Sequence, residues 1–246
     1  MASEQPEPAT RPSASSGELT LYVKKASPTS TANSIKPLIL IEALSIPHRI
    51  HIIGSTKNET WFHDVNPYKM VPAMEDFALR YKNDTKELLN VFDSSACLQY
   101  LVDRYDRDGI YGGKGLWEKT LVTNWLMAYT AGLGATGKWW LMLKMPRPQA
   151  IGDALEVFVA SIRSEYTVLE KRLSEPGQTF VALPDRPTIA DFAILPLANA
   201  DVAATADINF DEWPKLQDWS KRVYALPYVS QAKARIESFG LTPESG

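Results

Sequence analysis

Short runs of apolar side chains, each bounded by polar or proline-containing segments, fill residues 19–92. Alternation of apolar and polar positions is typical of half-buried strands. It predicts strands at 19–23, 48–53, 71–77 and 88–92, the last two joined by a hairpin around 82–84. Apolar positions at helical spacing predict helices at 35–44 and 95–105. This order of elements is typical of a βαβ unit followed by a hairpin and a covering helix.

The polar stretch 26–32 separates the first strand from the first predicted helix, and we expect it to be a loop. Asn33 or Ser34 would then cap the helix, because their side chains can accept hydrogen bonds from backbone amides at a helix start. Pro37 would lie in the first turn, where its missing N–H costs little.

The pattern changes after the polar, glycine-rich segment 106–113, beyond which helical spacing replaces alternation. Helices are predicted within 115–145, 149–174, 188–206 and 213–238. Thr188 and Asp191 stand three residues apart before an apolar run, which predicts a capping box. The chain is therefore predicted to divide into a disordered tail at 1–17, an α/β domain at 18–108 and an all-helical domain at 115–240.

Composition narrows the possible partners. The 246 residues are 45% hydrophobic, enough for two packed domains, and a net charge of −3 gives no attraction to nucleic acid or anionic membranes. The single cysteine excludes an internal disulfide framework, and no cysteine and histidine cluster has zinc-site spacing. No run has the length of a membrane span. We expect a cytoplasmic protein without metal, nucleic-acid partner or membrane anchor.

Two short motifs of the first domain predict a site for a peptide-like ligand. Met70, Val71 and Pro72 follow a polar turn, and a Val-Pro bond can be cis at modest cost. A cis bond at the lip of a sheet would turn backbone groups outward to pair with an extended ligand, whereas a trans bond would simply end the loop.

The second motif is the pair Asp93 and Ser94, which opens the predicted helix at 95–105. A hydroxyl and the amides of a helix end can receive a carboxylate, while the Asp carboxylate receives an ammonium. Both charges of an α-amino acid would be met, so glutathione is the natural candidate. The alternative is a helix cap without a ligand.

These motifs, followed by the segment 188–191, resemble in their order the cytosolic glutathione S-transferases. Within that family, residues 29–33 and 35–40, together with 175–178 and 186–191, are most similar to fungal members of gliotoxin-type epidithiodiketopiperazine biosynthesis. The resemblance implies the glutathione S-transferase fold: a thioredoxin-like α/β domain that binds glutathione and an all-α domain that binds a small apolar electrophile. It also implies that two copies pair as a homodimer.

Transfer of glutathione to an electrophile requires the thiolate, which is the nucleophilic form of the sulfur. The protein has to favour this form, because only about 3% of a thiol with a pKa near 8.5 is ionised at pH 7. The resemblance implies that Ser30 and Asn33 hold the sulfur anion. Tyr22 is an alternative, since animal classes of the family place a catalytic tyrosine at the end of the first strand. Cys97 lies on an apolar helix stripe and is expected to be a buried structural thiol. Further alternatives for holding the sulfur are Ser27, Thr29 and Thr31.

Lys138 stands inside the predicted helix 115–145, beside aromatic and methionine side chains. The family architecture puts the middle of that helix opposite the thiolate, which implies an ammonium that faces the cleft and assists departure of a hydroxyl group. The alternative is a solvated lysine beside a core aromatic stripe. We expect the surface for a flat apolar substrate to include Tyr129, Trp139 and Met142.

The main hypothesis is an enzyme that adds glutathione to an electrophilic, acyl imine-type diketopiperazine in fungal secondary metabolism and so forms carbon–sulfur bonds. A first rival is a general detoxifying glutathione transferase or peroxidase that uses the same thiolate site. A second rival is a regulatory or scaffold protein that keeps the fold without the chemistry. The polar donors at 30, 33, 93 and 94 disfavour this second rival.

Overall fold

A four-stranded sheet forms the base of the first half of the chain in this computed structural model, which describes residues 11, 18–55, 58–80, 88–144 and 152–239. The predicted hairpin at 82–84 and most of the predicted tail at 1–17 lie outside the described residues. The strands follow the order β2-β1-β3-β4, with β1 and β2 parallel and the other pairs antiparallel. They are β1 (Leu19–Lys24), β2 (His48–Ile53), β3 (Ala73–Arg80) and β4 (Leu88–Phe92).

Helices cover both faces of this sheet. They are α1 (Pro28–Ala43), α2 (Phe62–Val65) and α3 (Ser94–Tyr105). Leu21 of β1 belongs to the large core under α1 and α3, whereas Tyr22 packs with Phe62 of α2 in a separate, smaller cluster. Successive side chains of a strand point to opposite faces, so the two β1 residues lie on different sides of the sheet.

The rest of the described chain is helical, as the sequence predicted. Its helices are α4 (Gly115–Ala131), α5 (Leu133–Lys144), α6 (Gly152–Leu173), α7 (Ile189–Ile194), α8 (Ala200–Thr205), α9 (Pro214–Tyr224) and α10 (Pro227–Ser238), with a 3-10 turn at Phe210–Glu212. One hydrophobic core runs from β1 through α1 into these helices. The predicted α/β domain followed by an all-α domain is confirmed.

Helix α1 begins earlier than the sequence predicted. Pro28 is its first residue, where proline is favoured because the missing N–H has no helical partner. The Ser27 amide donates to the Thr31 hydroxyl at 3.2 Å, and the Thr31 amide donates to the Ser27 carbonyl at 2.9 Å. The predicted loop at 26–32 is therefore largely helical, so Asn33 does not cap the helix. Ser34 and Pro37, placed by the sequence at the helix start, also lie in its interior.

The predicted helix at 115–145 is broken at Gly132. A Cβ atom there would meet the flexible Glu165 carboxylate of α6 and lie 3.0 Å from the Ala128 carbonyl oxygen, so the position is crowded for any residue larger than glycine. The predicted helix at 188–206 is also two helices, because Asn199 accepts from the Val202 amide at 3.0 Å and starts α8. In the same way Pro227 starts α10 within the predicted helix 213–238.

The predicted capping box at the start of α7 is confirmed. The Thr188 amide donates to Asp191 Oδ2 at 2.8 Å, and the Ala190 amide donates to the Thr188 hydroxyl at 3.3 Å. Asp191 Oδ1 also accepts from the Val181 amide and from the Trp219 indole, each at 2.8 Å. The buried carboxylate thus connects α7 to α9 as well as starting its own helix.

Candidate functional site

A cleft of about 370 Å³ lies where the sheet unit meets α4 and α5. The structure brings to it nine of the predicted site residues: Asn33, Met70, Val71, Pro72, Asp93, Ser94, Tyr129, Lys138 and Trp139. Ser30 belongs to α1 and Met142 to α5, but the side chains of both lie outside what the structure describes. Residues more than 100 positions apart in the chain therefore share one cavity.

The segment before β3 forms one wall. The Val71–Pro72 peptide bond is cis, as predicted. Asn66, which the sequence analysis assigned no role, is buried and holds this segment: its Nδ2 donates to the Met70 carbonyl at 2.7 Å, and its Oδ1 accepts from the Tyr68 amide at 2.9 Å. These two bonds close the loop that carries Val71 to the edge of the cleft.

Asp93 and Ser94 form the end of the cleft. Asp93, at φ 75°, turns the chain from β4 into α3, and its Oδ1 accepts from the Ser95 amide at 2.8 Å and the Ala96 amide at 3.3 Å. These two amides are thus engaged by the Asp93 cap, and binding of a ligand carboxylate at this helix end stays a prediction. Capping and cleft lining occur together at Asp93, and Ser94 lines the cleft beside it.

Lys36 was missed by the sequence analysis and lies at the floor of the cleft. Its side chain is buried, yet its Nζ donates to Asn33 Oδ1 at 2.8 Å, to Ser94 Oγ at 3.2 Å and to the Tyr129 hydroxyl at 2.7 Å. One signal could have found it, because Lys36 is the single charged residue in the apolar run 35–41 and stands one helical turn after Asn33.

The burial of Lys36 and Tyr129 shifts the pKa values of both groups at the floor of the cleft. Burial lowers the pKa of Lys36 to about 7, and the negative charge of Asp93 acts in the opposite direction. Burial, with a further contribution from Asp93, raises the pKa of Tyr129 above its ordinary value. Tyr129 is therefore a neutral phenol that accepts from the ammonium, and its position is the floor rather than an apolar substrate wall.

Lys138 stands across the cleft on α5. Its Nζ lies 3.8 Å from Met70 Sδ and 5.9 Å from the centroid of the Trp139 ring, which is half-exposed. The Lys138 ammonium thus faces the cleft. The two cations and several hydrogen-bond donors suit an anionic ligand, and the adjacent aromatic surface suits an apolar one.

Family comparisons agree with this geometry. The description "Glutathione S-transferase, N-terminal domain" matches residues 32–104, and "Glutathione S-transferase, C-terminal domain" matches residues 139–227. Glutathione S-transferase tcpG of Claviceps purpurea is 52% identical over 95% of this chain and 93% of its own length. The chain belongs to the glutathione S-transferase family.

Further relatives and a solved structure extend the comparison. Glutathione S-transferase sirG of Leptosphaeria maculans is 48% identical over 87% of this chain and 90% of its own length. A trimodular acetylaranotin synthesis protein of Aspergillus terreus is 36% identical over 82% of this chain and 20% of its own. The chain shares its fold with a glutathione transferase homologue from Lodderomyces elongisporus, which was crystallised with two glutathione molecules per subunit. The TM-score is 0.77 and the sequence identity 24%, and the match covers 89% of this chain and 98% of that one. The predicted fold and glutathione transferase activity are confirmed.

Tyr22 does not face the glutathione S-transferase cleft. Its hydroxyl donates to Glu75 Oε2 at 2.5 Å, and the buried Glu75 also pairs with Arg11. Burial, then the hydrogen bond to Glu75, raises the pKa of the Tyr22 phenol well above its ordinary value. A phenol with a raised pKa on the opposite face of the sheet cannot reach a sulfur in the cleft, which removes this alternative.

Cys97 is fully buried in α3, and its Sγ lies 3.8 Å from the Val91 carbonyl oxygen. Burial raises the pKa of this thiol, with a smaller contribution from Asp93, so the thiolate is disfavoured. Cys97 is a structural residue of the transferase. Within the described ranges, no group of three or more His, Cys, Asp or Glu side chains could hold a metal ion, and no helix has the length and apolar character of a membrane span.

Replacing Tyr22 by Phe should leave catalysis intact and weaken the fold. The transferase should keep its rate of glutathione conjugation, while its free energy of unfolding falls by about 1–3 kcal/mol because Glu75 loses a buried donor. Initial rates and urea unfolding measure the two effects. A loss of activity of about 10-fold or more, with unchanged stability, would contradict the assignment of Tyr22 to the fold.

Proposed function

We propose that the protein adds the sulfur of glutathione to an electrophilic, acyl imine-type diketopiperazine in fungal secondary metabolism. The observation that carries the proposal is the meeting of Asn33, Ser94 and Lys138 in one cleft that also holds the aromatic face of Trp139. The similarity to an acetylaranotin synthesis protein supports a biosynthetic role. A cytosolic location agrees with the single, buried cysteine.

In this proposal glutathione lies along the sheet side of the cleft. The Asp93 carboxylate receives the ammonium of the γ-glutamyl head, and the Ser94 hydroxyl donates to its carboxylate. Backbone groups of Val71 pair with the cysteinyl unit, beside Met70 and Pro72. The sulfur anion then faces Asn33 and Ser30, one turn apart on α1. A single hydrogen bond to a charged group contributes about 1.5–3 kcal/mol, enough to favour the thiolate.

Lys138 assists the second substrate in this scheme. A hydroxylated diketopiperazine loses water and becomes an acyl imine: the C–O bond breaks as the Lys138 ammonium protonates the departing hydroxyl group, and the proton of the ring N–H passes to solvent. The thiolate attacks the imine carbon, a carbon–sulfur bond forms and the ring nitrogen takes up a proton. The balance is one glutathione consumed and one water released for each bond, and the reaction occurs twice on a substrate with two such carbons.

Removing the groups beside the sulfur tests the thiolate site. Ser30→Ala and Asn33→Ala should each lower the conjugation rate about 10- to 100-fold, the loss expected for about 1.4–2.7 kcal/mol of transition-state stabilisation. Thr31→Ala is the matched control, because the Thr31 hydroxyl serves the Ser27 amide in the same helical turn. Full activity in both single variants and in the double variant would refute the assignment.

Lys138→Met tests the proposed proton donor and separates the specialised enzyme from a general one. With a hydroxylated diketopiperazine the rate should fall about 100-fold, a typical contribution of a general acid. With an aryl halide the rate should stay near that of the unmodified protein, because a halide leaves without a proton. Equal losses on both substrates would argue against the acid role. Faster turnover of aryl halides or organic peroxides than of diketopiperazines would favour the detoxifying rival.

We also propose that two copies pair as a homodimer. Leu116 and Trp117, in the first turn of α4, are 84% and 79% exposed, and burial of such side chains between two copies would remove apolar surface from water. Sedimentation equilibrium should give about twice the 27.4 kDa of the chain, and Trp117→Lys should lower that mass. A single-chain mass for the unmodified protein would contradict the pairing.

A further inference from the structure

The Lys36 ammonium is saturated by three acceptors. An ammonium has three N–H donors and no lone pair, and Lys36 directs one hydrogen bond each to Asn33, Ser94 and Tyr129. These partners come from α1, the start of α3 and α4, so they belong to three different elements. None of the three can donate to Lys36, because the ammonium cannot accept.

This arrangement decides the direction of the hydrogen bonds of the cleft. The amide oxygen of Asn33 must face Lys36, so its NH2 group points the other way. The hydroxyls of Ser94 and Tyr129 each accept from Lys36, so their own hydrogens also point elsewhere. All three residues line the cleft. One buried cation therefore leaves three residues of the cleft lining with their donor groups directed away from Lys36.

We propose that Lys36 is a positioning residue that turns Asn33, Ser94 and Tyr129 into hydrogen-bond donors for the two anionic groups of bound glutathione, its thiolate and its γ-glutamyl carboxylate. Lys36 itself lies beneath these side chains and acts through them. The inference rests on the placement of glutathione proposed above, and it gives a role to a buried charge that the conjugation chemistry does not use.

The charge state of Lys36 matters to this role. A neutral amine has two hydrogens and one lone pair, so one of the three partners would have to reverse its hydrogen bond. Burial lowers the Lys36 pKa to about 7, which makes the neutral form accessible at neutral pH, and nearby anions favour the ammonium. Binding of an anionic ligand should therefore be accompanied by proton uptake.

Other charged groups around α1 are already paired or lie across the cleft. Asp93 is the charge that acts on Lys36 from the start of α3, and Tyr129 is the titratable group that faces it from α4. Lys138 is the cation of α5 in the same cleft. Asp191 of α7 is bonded by Trp219, and Arg235 of α10 pairs with Glu42 of α1. Proton uptake near neutral pH is thus expected at Lys36.

Lys36→Met tests the inference, because methionine keeps the length of the apolar stem and removes the charge. S-methylglutathione is the probe, since it keeps the γ-glutamyl head and has no thiol proton. Its Kd, measured by calorimetry, should rise about 10-fold or more with the loss of oriented donors. The melting temperature should stay the same or increase, because a buried ammonium no longer has to be desolvated. Lys171→Met, an exposed position on α6, is the control and should bind as the unmodified protein does.

A second readout separates positioning from a structural role. With glutathione as substrate, Lys36→Met should move the rise of conjugation rate with pH to higher pH, because the thiolate loses the donor of a correctly oriented Asn33. The unmodified protein also gives a test that needs no variant. S-methylglutathione, titrated just above neutral pH in buffers of different ionisation enthalpy, should bind with net proton uptake.

The outcomes distinguish this inference from the proposed function. If the unmodified protein fails to bind S-methylglutathione, the glutathione site itself is wrong and the inference falls with it. If the unmodified protein binds without proton uptake, or if Lys36→Met folds and binds with an unchanged Kd, the site stands and the positioning role is refuted. Should Lys36→Met fail to fold, the proton uptake of the unmodified protein decides the question.

Discussion

Burial of the Lys36 ammonium is the constraint on which the site depends. A buried charge is costly unless acceptors surround it, and here the acceptors come from the sheet domain and from α4 of the helical domain. A shift of α4 away from the sheet domain would take the Tyr129 acceptor from the ammonium. The same contacts that cross the junction of the two domains also arrange the polar side of the cleft between them.

The two walls of the cleft have different characters, which suits a reaction with two substrates. On the sheet side Asn33, Asp93 and Ser94 present polar groups held by hydrogen bonds. On the helical side Trp139 and the small residue Ala135 offer an apolar surface. A charged cosubstrate and an apolar electrophile can thus lie side by side, with the Lys138 side chain between them.

Several reactive side chains contribute to the fold rather than to catalysis. Tyr22 is bound to Glu75 on the far face of the sheet, Cys97 is a buried residue of α3, and Asp191 joins α7 to α9. Each of these side chains is of a type that can take part in catalysis, but the groups it contacts lie away from the cleft. The chemistry of a residue type therefore indicates a site only when the surrounding surface is known.

The sequence by itself determined the strands, the helical second half, the capping box of Thr188 and Asp191, and the cleft position of the Val71 and Asp93 motifs. These features depend on short-range periodicity and on groups a few residues apart. Tertiary structure alone decided the break at Gly132, the orientation of Tyr22 and the role of Lys36. Lys36 meets Tyr129 from 93 positions away, and periodicity along the chain carries no information about a partner at that distance. A buried charge needs hydrogen-bond acceptors around it, and only folding brings acceptors from distant parts of the chain to that position.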